Sequence, residues 1–132
     1  MFQHFFTVDE LRNLSAKIDA ETASELDYYP LLNPGERFPI KDPNLEPRLT
    51  PRPESDVEFL HGMMESIARI EAQCYDAMRA LQAPQPKVIC TAGVGASNPV
   101  WTAIRKRVMG LDIQPPIETE AAVGIARLIA IA

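Results

Sequence analysis

The chain has 132 residues, 46% of them hydrophobic and 23% charged, with a formal net charge of −5. That length suits one domain, and the composition excludes disorder over the whole chain. The acidic balance disfavours nucleic acid as a partner, because phosphate binding needs concentrated Lys and Arg. The tight basic run Arg105-Lys106-Arg107 falls inside a predicted helix and is expected to be a solvated face. Cys74 and Cys90 lack metal-ligand spacing and fit a reducing compartment. No signal peptide is expected, and the apolar run from Ala121 to Ala132 is too short to cross a bilayer and is interrupted by Arg127. The expectation is a soluble, cytoplasmic protein with no membrane and no nucleic-acid partner.

In chain order, Thr7-Val8-Asp9-Glu10 reads as a capping box opening a short helix through about Ile18, with Leu11, Leu14 and Ile18 on its apolar face. From Tyr29 to Pro53 the chain carries Pro30, Pro34, Pro39, Pro43, Pro47, Pro51 and Pro53. Each proline removes a donor and restricts its predecessor, so no regular helix survives there. An ordered loop is expected, anchored by Tyr28, Tyr29, Leu31, Leu32 and Phe38. Ser55-Asp56-Val57-Glu58 is a second capping box, opening the longest helix to about Gln82. Its predicted buried stripe is Phe59, Met63, Ile67, Ile70, Cys74, Met78 and Leu81.

A short strand is predicted over Lys87–Ala92, then a turn of small residues, Gly93-Val94-Gly95-Ala96-Ser97. A helix follows from Pro99 to about Met109, with Asn98 as its cap and Gly110 as its stop. Leu111–Gln114 is a second short strand, ended by Pro115-Pro116, and a last helix is predicted from about Glu120. Strand, small-residue turn and helix start bring backbone N–H groups to a point where an anion can meet them. Small residues at such a turn also serve tight packing alone.

Two strands are few for a parallel sheet, which is normally covered on both faces and built of several strands. The fold class expected is α/β with an incomplete sheet and flanking helices. The remaining strands would come from another polypeptide or from self-association.

Four segments, in order, resemble the C-terminal region of the FGGY carbohydrate kinases. Gly35-Glu36-Arg37-Phe38-Pro39 is similar to that family's Gly-Glu-Arg-x-Pro segment. Glu58-Phe59-Leu60-His61-Gly62-Met63-Met64-Glu65, running into Ser66-Ile67-Ala68, is similar to its second signature, with Gly62 where Ala or Ser is usual. Gly93-Val94-Gly95-Ala96-Ser97-Asn98 with Trp101 resembles its adenosine motif. Glu118-Thr119-Glu120-Ala121-Ala122-Val123-Gly124-Ile125-Ala126 resembles its C-terminal motif. Phe38, Ile70-Glu71, Tyr75 and Arg105 are similar to the ribulose/xylulose kinase-like branch.

The resemblance implies that residues 1–132 are the C-terminal portion of the kinase's C-terminal domain, a part of a ribonuclease H-like (actin-like ATPase) fold. It also implies ATP-dependent phosphoryl transfer to a sugar hydroxyl, with ATP and Mg2+ used by the complete enzyme. The family's first phosphate motif, catalytic Asp and sugar site lie largely in its N-terminal domain, and its second phosphate motif opens the C-terminal domain; none is recognisable here. Asp9, Asp19, Asp27, Asp42, Asp56, Asp76 and Asp112 read as caps, turns or surface residues, so no catalytic residue and no metal ligand is nominated. The nucleotide-binding residues implied are Gly93, Val94, Gly95 and Asn98. Asn98 either caps its helix only or caps it and meets the ligand, and Val94 stands where glycine is usual, so weak adenine-nucleotide binding is expected.

The chain is then the adenosine side of a kinase not competent alone, partnered by the missing N-terminal portion or by itself. The alternative is a catalytically inactive nucleotide-binding or protein-interaction module derived from a sugar kinase. Among the other residues, Arg37 is expected to pin its loop through an acid rather than touch sugar or phosphate, Glu65 to be its buried partner or a surface acid, and His61 to be a surface or packing residue. Trp101 reads as core or, less plainly, as an adenine platform.

Overall fold

The computed structural model describes residues 1–92 and 94–115, Val94 by its backbone alone. The predicted last helix and the motif at Glu118–Ala126 lie outside the described residues. A 3-10 turn at Phe2–His4 precedes α1 (Val8–Ser15), α2 (Asp56–Ala80), β1 (Val88–Cys90), a second 3-10 turn (Val94–Ser97), α3 (Pro99–Met109) and β2 (Asp112–Gln114).

Helix α1 starts where the capping box places it. The Thr7 hydroxyl accepts from the Glu10 N–H, and the Glu10 carboxylate accepts from the Thr7 N–H, which holds that carboxyl below its usual range. The helix ends at Ser15, three residues short of Ile18. The N–H groups of Lys17 and Ile18 bond to Leu14 and Ser15, tightening the chain into a turn that still buries Ile18.

Helix α2 begins at the Ser55 cap, and its N-terminal half is buried around more of its girth than one stripe. Leu60, Met64, Glu65, Ser66 and Ala68 are buried along with Phe59 and Met63, because helices α1 and α3 pack on one side and the segment before the proline-rich loop on the other. Packing thins along the second half. Cys74 and Met78 are half-buried, and Leu81, predicted in the stripe, is 78% exposed.

The proline-rich segment contains no helix and is closed by isolated bridges at Tyr29↔Arg48 and Glu36↔Asp42. Tyr28 and Tyr29 are its buried anchors, whereas Leu32 and Phe38, expected to anchor it too, are exposed. Tyr28 donates its hydroxyl to the Pro51 carbonyl at 2.7 Å, and its N–H donates to the Ser66 hydroxyl at 3.0 Å. Gly62 makes this approach possible, since a Cβ there would lie 2.8 Å from Leu26 Cβ and 2.9 Å from the Tyr28 ring. Gly62→Ala is therefore expected to destabilise the fold by about 1–3 kcal/mol, overpacking outweighing the gain in helix propensity. Urea denaturation checks this through a lowered midpoint.

Strands β1 and β2 pair in parallel, with Val88 opposite Asp112, Ile89 opposite Ile113 and Cys90 opposite Gln114. Both are shorter than predicted, although the Thr91 N–H extends the ladder to the Gln114 carbonyl at 3.2 Å. Ile89 faces the core, while Val88 and Cys90 on the opposite face are exposed. The expected α/β class with a short sheet and flanking helices is what the described residues form.

The basic run on α3 is not a solvated face. Lys106 is exposed, but Arg105 is buried and Arg107 half-buried. Arg105 forks onto the Glu71 carboxylate, and Arg107 forks onto Glu65. Glu65 is thus the buried acid, but its principal partner is Arg107, while Arg37 is exposed. Arg107 also donates to the carbonyls of Ala20 and Thr22, and Arg69 to those of Ser24 and Leu26, so both arginines staple the segment after α1 onto the helices.

His61 lies in the same cluster, with its Nε2 buried, without a hydrogen-bond partner among the described residues and 3.6 Å from Glu65. Burial holds its imidazole below the ordinary value of 6.5, with Arg107 and Arg69 acting in the same direction against Glu65 and Asp19. The unfolded chain therefore binds a proton that the folded one refuses. Stability present at neutral pH is lost as pH falls through 6.5 towards the lower folded value. Urea midpoints measured across that window are expected to fall with acidification, and the His61→Gln variant to show a flatter profile.

Candidate nucleotide-binding cleft

Strand β1 delivers the chain to the small-residue turn, and the turn delivers it to the start of α3. Within the turn the Asn98 N–H donates to the Gly95 carbonyl at 3.2 Å. The Asn98 side chain then does two things. Its Oδ1 accepts from the N–H groups of Val100 and Trp101 at 3.0 and 3.1 Å, capping α3. Its Nδ2 donates to the hydroxyl of Ser15, a buried residue at the end of α1, at 2.7 Å. With the oxygen held by two donors, the amide cannot flip, and it presents only N–H to anything else nearby.

Gly95, Asn98 and Trp101 line a cleft of about 610 Å³ whose other wall comes from Phe2, Leu11 and Arg12. This is within the size range of small-molecule sites, mostly apolar with a few polar groups. Trp101 is half-buried: it packs on the hydrophobic core and shows the cleft its remaining surface. Gly95 is informative because the fold does not require a glycine there. Its φ is not in the left-handed region, and a Cβ would make only ordinary contacts at 3.5 and 3.6 Å with the Trp101 ring. The space that a side chain would occupy is open to the cleft.

Of the four residues expected at a nucleotide, Gly95 and Asn98 therefore meet at one cleft. Val94 contributes its backbone to the turn, and Gly93 lies outside the described residues. Sequence reasoning missed Ser15 and Arg12. Ser15 sits four residues after Leu11 and so shares its face, which is the one signal that points to it. A second cleft, of about 470 Å³, is lined by Asp19, Glu25, Glu58 and His61 among others. Its acidic rim repels a polyphosphate.

Residues 7–132 match the model of the C-terminal domain of the FGGY family of carbohydrate kinases. The chain belongs to that family. Of the four family-like segments, the first lies in the proline-rich loop, the second on α2, and the third forms the turn and start of α3 at the cleft. The cleft has the volume of a small-molecule site, but the start of α3 offers it no free backbone donor, since Pro99 has none and the N–H groups of Val100 and Trp101 are taken by Asn98 Oδ1; Asn98 Nδ2 keeps one N–H beyond its bond to Ser15. The described lining of the cleft carries no carboxylate to hold Mg2+, and among the described residues no three of His, Cys, Asp and Glu group together as metal ligands. Among the described residues no helix is long and apolar enough to cross a membrane.

Proposed function

We propose that this chain forms the adenosine side of the nucleotide cleft in an ATP-dependent carbohydrate kinase acting on a pentulose. In this reading Gly93, Val94, Gly95 and Asn98 lie against the nucleotide, in a cytoplasmic enzyme of ribonuclease H-like fold. The observation that carries it is the open space at Gly95 beside the Asn98 cap, on a cleft that also holds the family's adenosine-like motif. FGGY kinases use ATP and a divalent metal, and the metal, proton acceptor and phosphate-binding turns belong to another portion of the enzyme. This chain binds and orients the purine end, and phosphoryl transfer depends on such positioning together with charge stabilisation elsewhere.

The sheet supports the need for a partner. A parallel pair is normally buried on both faces, and Val88 and Cys90 are exposed on one face of this one. The missing kinase portion, or failing that a second copy, covers it.

Trp101 is the sole tryptophan and lies on the cleft, so its fluorescence reads the site directly. Titration with ATP is expected to change Trp101 emission saturably, with adenosine competing. Emission unchanged at millimolar ATP would contradict the nucleotide reading.

A further inference from the structure

The turn that carries Gly95 is braced from outside the cleft by a side chain that no ligand would touch. Arg105 is 5% exposed. Its Nε and one terminal nitrogen fork onto the Glu71 carboxylate of α2, and its other terminal nitrogen donates to the Thr91 hydroxyl at 2.5 Å. Thr91 is the first residue after β1, and its own N–H is held by the Gln114 carbonyl of β2. The Arg105 guanidinium also lies over the Trp101 ring, 5.4 Å from the centroid, and the indole edge of Trp101 is what faces Gly95. One planar cation therefore fixes the entry to the turn through Thr91 and backs its far side through Trp101. A lysine would offer neither the fork nor the flat face.

We infer that Thr91 is a positioning residue for nucleotide binding: through Arg105 and Glu71 it locks the turn at the height where Gly95 and Asn98 meet the ligand. The inference rests on the nucleotide reading of the cleft. Helix α3 needs no such tie to form, since Asn98, Pro99 and Gly110 already set its ends. A hydroxyl bonded across 14 residues to a buried guanidinium serves instead to fix where the strand hands over to the turn.

The test compares the isotopically labelled chain with Thr91→Ser, which keeps the hydroxyl, and Thr91→Val, which removes it at nearly constant shape. Two readouts are taken well below the melting temperature: amide hydrogen exchange by NMR, and chemical-shift titration with ATP. In Thr91→Val the Asn98 amide, bonded to Gly95, is expected to exchange about tenfold faster, while amides at Met63 and Met64 in α2 are unchanged. ATP affinity should fall by about the same factor, and Thr91→Ser should stay within about twofold of the original chain on both readouts. A lowered melting temperature with unchanged Asn98 exchange and unchanged ATP affinity would reduce Thr91 to ordinary stability and overturn the inference. If ATP moves no resonance of the unaltered chain, the nucleotide reading fails and the positioning role fails with it; the exchange data then show separately whether the brace itself holds the turn.

Discussion

Arg107→Ala is expected to lower the unfolding free energy by about 3–5 kcal/mol, the loss typical when one member of a buried ion pair is removed. Glu65, with its side chain 3% exposed, would keep only Arg69 at 3.7 Å and His61 at 3.6 Å, neither within hydrogen-bonding distance. The same substitution releases the carbonyls of Ala20 and Thr22, so the segment that follows α1 loses its tie to α3. Against a total of about 5–15 kcal/mol for an ordinary domain, that is roughly a fifth at the least and most of it for a marginal domain. Arg107→Lys should rescue little, because a single ammonium cannot serve both carboxylate oxygens and the carbonyls together. Pairing Arg107→Met with Glu65→Gln should recover part of the loss, since the uncompensated charge is then gone. Urea denaturation of the four chains measures all of this. A change below about 1 kcal/mol in Arg107→Ala would show that the Glu65 site is wetter than its burial implies.

Gly95→Ala is expected to do the reverse: it should leave the fold intact and damage the cleft. The added methyl meets only the Trp101 ring at ordinary contact distance, and the backbone there is not left-handed, so stability should hold or rise by about 0.4–1 kcal/mol. Nucleotide affinity should fall by at least about tenfold, because the methyl stands where a ligand approaches the backbone. Calorimetric titration with ATP, alongside thermal unfolding, separates the two effects. Affinity unchanged in a stable variant would mean that the cleft wall at Gly95 is not a nucleotide contact.

The elements of the fold were legible wherever the signal is local. Thr7, Ser55 and Asn98 each cap the helix that follows, and Gly110 closes α3 with φ 64. The same holds for the turn between β1 and α3, whose small residues and helix cap lie side by side in the chain. What was not legible depends on partners far away in sequence. Arg105 and Arg107 read as surface residues because Glu71 and Glu65 lie 34 and 42 positions off. Ser15 gave almost no sign of its role because it meets Asn98 across 83 residues. The burial of Leu60 and Ala68 was missed for a related reason: periodicity reports one covered face, and α2 is covered on two. The candidate cleft shows the same division, with its turn readable from the sequence and its opposite wall, from Phe2 to Arg12, supplied by packing alone.

The central claim is that the nucleotide's adenosine end rests on the turn at Gly95 and the cap at Asn98. A crystal structure of the chain grown with a non-hydrolysable ATP analogue tests it most directly. The account predicts ligand density in the cleft between α1 and α3, in contact with the Gly95 backbone and within hydrogen-bonding distance of Asn98 Nδ2. Density bound elsewhere, with that cleft empty, would contradict it.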